Sequence, residues 1–287
     1  MQKVHIVTDS TADIPKKLVE QYNITVVPLK VHFSEQTFLD GVTIQASEFY
    51  DKLQQSSVLP KTSQPTPMEF MNIYNSIVKD SDDVIISIHL SSALSGTFQA
   101  AYMAKQQMQD KIDVTVIDSK RASYAFGIIV VRAAELAQEG KSKEEIHKCI
   151  NKLLNETEVY FIVDSLLYLQ KGGRIGKASF LLGSLLNIKP ILSLNEQGEV
   201  YPVDKVRGTK LALNKVLELF KNNFANRPII AGLSHANSYE HGLEIKNFLE
   251  DNLNIVNFVL TEIGPVIGTH VGPGTIAITA FPNDIEC

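Results

Sequence analysis

The sequence predicts an α/β protein of two α/β domains, the first built on a doubly wound, mainly parallel sheet and the second on a mixed sheet. Three observations carry this expectation. Short β-branched apolar runs alternate with amphipathic runs of helical period through the first half, the pattern of strands crossed by covering helices. In the second half, two strand-like runs at residues 188–194 and 200–206 are joined only by the turn Asn195-Glu196-Gln197-Gly198. The chain has 287 residues, long for one domain and ample for a large core. The pattern changes near residue 158, which divides the chain into domains 1–157 and 158–287.

Residues 4–8 read as a short strand, followed by the polar loop Asp9-Ser10-Thr11-Ala12-Asp13. Asp13 with Pro15 marks a helix start, running to about residue 21. Residues 24–33 form a second strand region, with Pro28 indicating an edge or a bulge. A short helix at 47–55 leads to the loop 61–67, rich in hydroxyls and proline. It ends in a capping box, Thr66 with Glu69 and Pro67 between them, which opens a helix to about residue 79.

The apolar run 84–89 is expected to be a buried parallel strand, and 98–108 a helix. Residues 113–117 read as a strand and 122–139 as a helix closed by Gly140. Ser142 with Glu145 forms a second capping box, opening a helix to about residue 155. Strand 160–163 and a helical run at 166–170 begin the second half, and the apolar stretch 178–186 is expected to be helical. Helices at 209–224 and 239–253 then alternate with strands at 229–234 and 255–261. The segment 264–275 reads as a glycine- and proline-dense loop before a final strand at 276–281.

Composition excludes several classes. Hydrophobic residues make up 44 % of the chain and charged residues 21 %, ordinary for a globular protein. A net charge of −5 argues against a general nucleic-acid binder. Cys149 and Cys287 have no metal or redox spacing and point to a reduced, cytoplasmic setting. No leader is evident, and no run reaches the roughly 18 apolar residues of a spanning helix. None of the seven histidines pairs with another His or Cys at a metal-ligand spacing, so no metal or other cofactor is expected.

The stretch around which the chain is organised is 90–99, LSSALSGTFQ. It places Ser91, Ser92, Ser95, Gly96 and Thr97 where a strand ends and a helix begins, so free N–H groups and hydroxyls favour an anion there. Simple helix capping is the alternative. Asp9-Ser10, Asp118-Ser119 and Asp164-Ser165 also follow strands, and together these loops suggest a hydroxyl-rich rim at the carboxyl ends of the strands. Three chemistries are compatible with such a rim. A serine hydrolase would use Ser95, His270 and an aspartate, although the G-x-S-x-G elbow is absent. A nucleotide binder would use Gly172 to Lys177, but the glycine spacing is wrong and Ala178 replaces the magnesium-binding hydroxyl. A carrier would hold a carboxylate with hydroxyls and an apolar tail in a cavity.

The motifs TDSTAD, KTSQPT, LSSALSGT, VIDS, DSLLYLQKGGRI and GTHVGPGT occur in this order along essentially the whole chain. In these the sequence resembles the DegV family of bacterial fatty-acid-binding proteins. The resemblance implies a long-chain fatty acid buried between two α/β domains. It further implies that a separate fatty-acid kinase phosphorylates the bound carboxylate with ATP, and that the acyl phosphate feeds phospholipid synthesis. Carried onto this chain, Thr62 and Ser95 would hydrogen-bond the carboxylate, His270 would support it, Ser92 would be a further candidate, and Arg174 would lie on the kinase-docking side. Transient membrane contact is compatible with that role, and a serine hydrolase acting on lipid esters is the alternative.

The physical reading agrees with a carrier. A buried carboxylate is tolerated when its oxygens are hydrogen-bonded, and neutral donors can do this without a full positive charge nearby. Burying a sixteen-carbon tail supplies on the order of 11 kcal/mol of gross driving force at about 0.8 kcal/mol per methylene, less the cost of ordering it. Phe180, Leu181, Leu182, Leu185 and Leu186 are candidate tunnel residues, with ordinary core packing the default for each.

Overall fold

Strand Val84–His89 is buried at all six positions, as an unbroken apolar run requires when helices cover both faces of a parallel sheet. It pairs in parallel with Val4–Asp9 on one side and Asp113–Asp118 on the other, and Thr25–Val27 completes the four strands beside Val4–Asp9. Side chains alternate across a strand. Val7, Ile85 and Val114 therefore meet Phe70 and Tyr74 of helix Pro67–Ile77 and the alanines of helix Thr97–Gln107. Ile6, Ile86 and Ile88 pack with helices Tyr124–Gln138 and Lys143–Glu156. The structure is a computed structural model and describes residues 3–108, 112–182 and 188–285.

Six strands from Glu158 onward form a second sheet, ordered Val200–Arg207, Ile188–Leu194, Glu158–Ile162, Ile276–Pro282, Ile229–His235, Ile255–Glu262. Its neighbours are antiparallel except for the last pair, so the sheet is mixed, as expected. Helices Thr209–Phe224 and Tyr239–Glu250 cover one face through Val216, Phe220 and Ile245. Between the two sheets runs helix Tyr124–Gln138, which touches Val4–Asp9 of the first and Ile229–His235 of the second. It buries eleven of its fifteen residues, and a helix enclosed on all sides must be apolar all round.

Several expectations are corrected. The region 24–33 breaks at Pro28, which has no N–H to donate to a ladder. Thr25–Val27 stays in the parallel sheet, whereas Lys30–Phe33 joins a separate three-stranded sheet with Gln36–Leu39 and Lys61–Ser63. Residues 61–63 are therefore a strand, not a loop. The segment 264–275 contains a helix, Pro265–Val271, whose first position is a proline and whose end is Gly272 with φ 77°. The apolar stretch 178–186 is 3-10 helical only over Gly176–Leu181, and Leu185 and Leu186 lie outside the described residues. Phe180 is 71 % exposed, so it lines no tunnel, and Leu181 packs into a core cluster of the second half. Cys149 is buried. Among the described residues no helix is long and apolar enough to cross a membrane, and no group of side chains is arranged to hold a metal ion.

Candidate functional site

Between the sheets lies a cavity lined by residues of both halves of the chain. Fourteen of its twenty-two lining residues are apolar, among them Leu29, Leu90, Phe161, Leu169, Leu194 and Ile267. The polar remainder includes Thr62, Gln64, Ser95, Arg174 and His270. These five are contributed by four separate segments, so nothing local in the sequence joins them.

Thr62 is carried by strand Lys61–Ser63, registered opposite Val31. Its Oγ1 lies 2.9 Å from Nε2 of His270, in the last turn of helix Pro265–Val271. The other side of the imidazole rests on Gly172, where a Cβ would come within 2.3 Å of Nδ1. The glycine of the KGGRI stretch is thus a contact residue, needed for its lack of a side chain. Ser95 precedes helix Thr97–Gln107, whose N-cap is Gly96 and provides no side-chain acceptor. Ser95 Oγ accepts from Thr97 N–H at 3.4 Å, and the N–H groups of Phe98 and Gln99 that follow can face an anion. Gln64 lies over Gly96, with its amide nitrogen 2.5 Å from where a Cβ would be. Arg174 ties two loops together, Nε donating to Leu94 O at 3.0 Å and Nη1 to Gly172 O at 2.6 Å.

Burial, reinforced by the Arg174 guanidinium, pushes the His270 pKa down to about 4. The ring is therefore neutral near pH 7 and carries a single N–H. Its Nδ1 is buried and has no hydrogen-bond partner among the described residues. An unpaired buried N–H is costlier than an under-satisfied acceptor. The proton therefore belongs on Nε2, which donates to Thr62 Oγ1 and frees the threonine hydroxyl to donate into the cavity. The arrangement can offer hydroxyls, backbone N–H groups and one guanidinium to an oxyanion, and an apolar lining to whatever is attached to it.

The sequence-derived candidates separate clearly in the structure. Thr62, Ser95, Arg174 and His270 line one cavity. Ser92 does not: it is exposed and hydrogen-bonded through its N–H and Oγ to Asp118. The common hydroxyl rim is also corrected. Asp9 is buried beneath the loop, bonding Leu90 N–H and His89, while Asp164 pairs with Lys189 at 2.6 Å and lines a different pocket. A full positive charge does stand at the polar end, since Arg174 faces the cavity beside His270. The hydrolase geometry is not formed: Ser95 Oγ bonds Thr97 Oγ1 at 2.9 Å, and His270 bonds Thr62 instead. Sequence reasoning passed over Gln64 and Ser123 as lining residues, although Gln64 sits inside the KTSQPT motif.

The DegV family, described as one of uncharacterised proteins, matches residues 3–283. A DegV domain-containing protein of Caldanaerobacter subterraneus is 40 % identical over 281 residues, 97 % of this chain and 98 % of that one. The structure of a DegV family protein from Thermus thermophilus, described by its fatty-acid binding, superposes with a TM-score of 0.92 at 35 % identity, covering 98 % of this chain and all of that one. That of DegV from Bacillus subtilis, described as a fatty-acid-binding protein, gives 0.89 at 36 % identity, covering 99 % of this chain and 100 % of the other.

Proposed function

The chain belongs to the DegV family, and on that premise we propose that it binds a long-chain fatty acid, with the carboxylate near Thr62, Ser95 and His270 and the hydrocarbon along the apolar lining. The observation that carries this reading is a single cavity joining a contiguous polar set to a mainly apolar remainder. The Thermus and Bacillus relatives, described as fatty-acid-binding proteins, support it. Isolation of the purified protein followed by mass spectrometry of an organic extract is expected to yield a long-chain fatty acid near one equivalent. An extract without one, together with no uptake of added palmitate, overturns the reading.

The finer role is that of a cytoplasmic acyl carrier for a separate fatty-acid kinase, which would convert the bound acid to an acyl phosphate for phospholipid synthesis. Supporting it, the polar set reaches the surface at Gln64, which is exposed. The carrier would work without a cofactor and divide at 157/158 into its two domains. Arg174, half-buried at that mouth, would meet the kinase. Arg174→Ala is expected to lower kinase-supported turnover about tenfold or more while changing lipid affinity only about threefold, in line with loss of a charged contact at a protein interface. Equal losses in both assays would remove the docking role.

A further inference from the structure

Ser123 stands immediately before helix Tyr124–Gln138, is 5 % exposed and lines the cavity. Its backbone is at φ 55° and ψ −152°, a region that glycine enters freely and a residue with a side chain enters only at a cost in strain. Such strain persists where the surroundings hold the residue in place, and here they do. Ser123 Oγ donates to Oδ2 of Asp13, and Ser234 Oγ lies 3.1 Å from it. Oδ1 of the same carboxyl group accepts from Gly264 N–H at 2.9 Å, and the Asp13 carbonyl accepts from Thr261 Oγ1 at 2.8 Å. One serine hydroxyl thereby links the central helix to the 3-10 turn that Asp13 closes, to strand Ile229–His235 and to the start of helix Pro265–Val271.

These bonds cross a partition. Ser123, Ile263 and Val266 line the apolar cavity, whereas Asp13, Glu262, Gly264 and Pro265 line a second cleft. Consecutive residues of 262–266 are thus divided between two spaces, and the Ser123–Asp13 bond spans the layer that separates them. Gly264 is closely packed in that layer, since a Cβ there would lie 2.8 Å from Asp13 Oδ1. His270 is in the last turn of helix Pro265–Val271 and the partition is at its start, about 8 Å away along the axis at 1.5 Å per residue. With the carboxylate at the His270 end, the partition falls on the hydrocarbon's side.

We propose that Ser123 is a specificity-determining residue: held by Asp13, it closes the hydrocarbon side of the cavity and limits the length of acyl chain accepted. The inference deepens the fatty-acid reading and rests on it. The hydroxyl has one proton and gives it to Asp13, so its action on the lipid is steric. A chain too long for the cavity has to part these buried hydrogen bonds to enter the second cleft, and buried groups left unpaired oppose that. Glycine at 123 would suit the local backbone, remove both the Cβ and the hydroxyl from the wall, and release one oxygen of Asp13.

The test loads the delipidated full chain from an excess of equimolar hexadecanoate and icosanoate and reads their ratio by mass spectrometry of the organic extract. Both acids carry the same carboxylate, so a general loss of affinity or of stability leaves the ratio unchanged. Wild type is expected to favour hexadecanoate about tenfold or more, and Ser123→Gly to move the ratio about tenfold toward icosanoate, the scale on which a pocket wall discriminates chain length. Asp13→Asn is expected to stay within about twofold of wild type, because its oxygen still accepts from Gly264 and its amide can donate to Ser123 Oγ. Equal uptake of both acids by wild type, or a ratio that Ser123→Gly leaves unmoved, overturns the proposal while the fatty-acid reading stands. A shift in Asp13→Asn as large as that in Ser123→Gly overturns the assignment to Ser123. Should Ser123→Gly fail to fold, Ser123→Ala, which lacks only the hydroxyl, takes its place, and an unmoved ratio overturns the proposal. Uptake of neither acid by wild type removes the fatty-acid reading and the proposal with it.

Discussion

Replacing Thr62 by valine is expected to weaken long-chain fatty-acid binding roughly 10- to 150-fold, the equivalent of about 1.5–3 kcal/mol for a hydrogen bond to a charged group. Valine keeps the shape and suits a strand, so the pairing of residues 61–63 with Lys30–Phe33 should survive. The variant loses the hydroxyl that accepts from His270 Nε2 and donates toward the cavity. The imidazole, whose Nδ1 is already unpartnered, is then left with no hydrogen bond on either nitrogen. Calorimetry with palmitate checks the affinity, and urea denaturation checks that the fold is retained. Unchanged affinity in a folded Thr62→Val protein would remove Thr62 from the carboxylate's neighbourhood.

Asp9→Ala is expected to destabilise the protein by about 3 kcal/mol or more, since several buried donors lose their acceptor at about 1–3 kcal/mol each. Asp9 and His89 are both fully buried, with Oδ2 to Nδ1 at 2.9 Å. The same carboxylate accepts from Leu90 N–H at 3.2 Å and from Thr11 N–H at 3.1 Å. Removing it leaves these donors without partners in a place water does not reach. Set against a typical total of about 5–15 kcal/mol, the loss should shift the urea midpoint strongly. It should also reduce lipid binding, because Leu90 is where the loop bearing Ser95 leaves its strand. A midpoint within about 1 kcal/mol of wild type would show that the His89 network is dispensable.

The alternation of strand and helix was readable because buried strands and amphipathic helices have distinct periods. Both capping boxes, at Thr66 and Ser142, form as their spacing indicates. What escaped was non-local. Lys61–Ser63 has too few residues to show a period and is a strand only because Lys30–Phe33 lies beside it. Helix Pro265–Val271 was obscured by its glycines, which here serve its ends and its close packing. Ser95 and Thr62 were found through motif and resemblance, but the serine that turns inward was not decidable until Asp118 was seen to hold Ser92. The partner of Arg174, Leu94 O, is eighty positions away, so no local pattern shows that contact. Asp13 was read as opening a helix. Instead it closes a 3-10 turn at φ 48° and bonds Gly264, 251 residues downstream.

Helix Tyr124–Gln138 is buried against strands of both sheets. Neither half of the chain owns that element outright, so cutting the gene between the halves would strip one of them of a wall and leave a long greasy rod exposed on the other. The molecule should accordingly melt as one cooperative unit. A guest entering the cavity must be admitted by rearranging the loops at its rim, since the rod in the middle ties the two layers together.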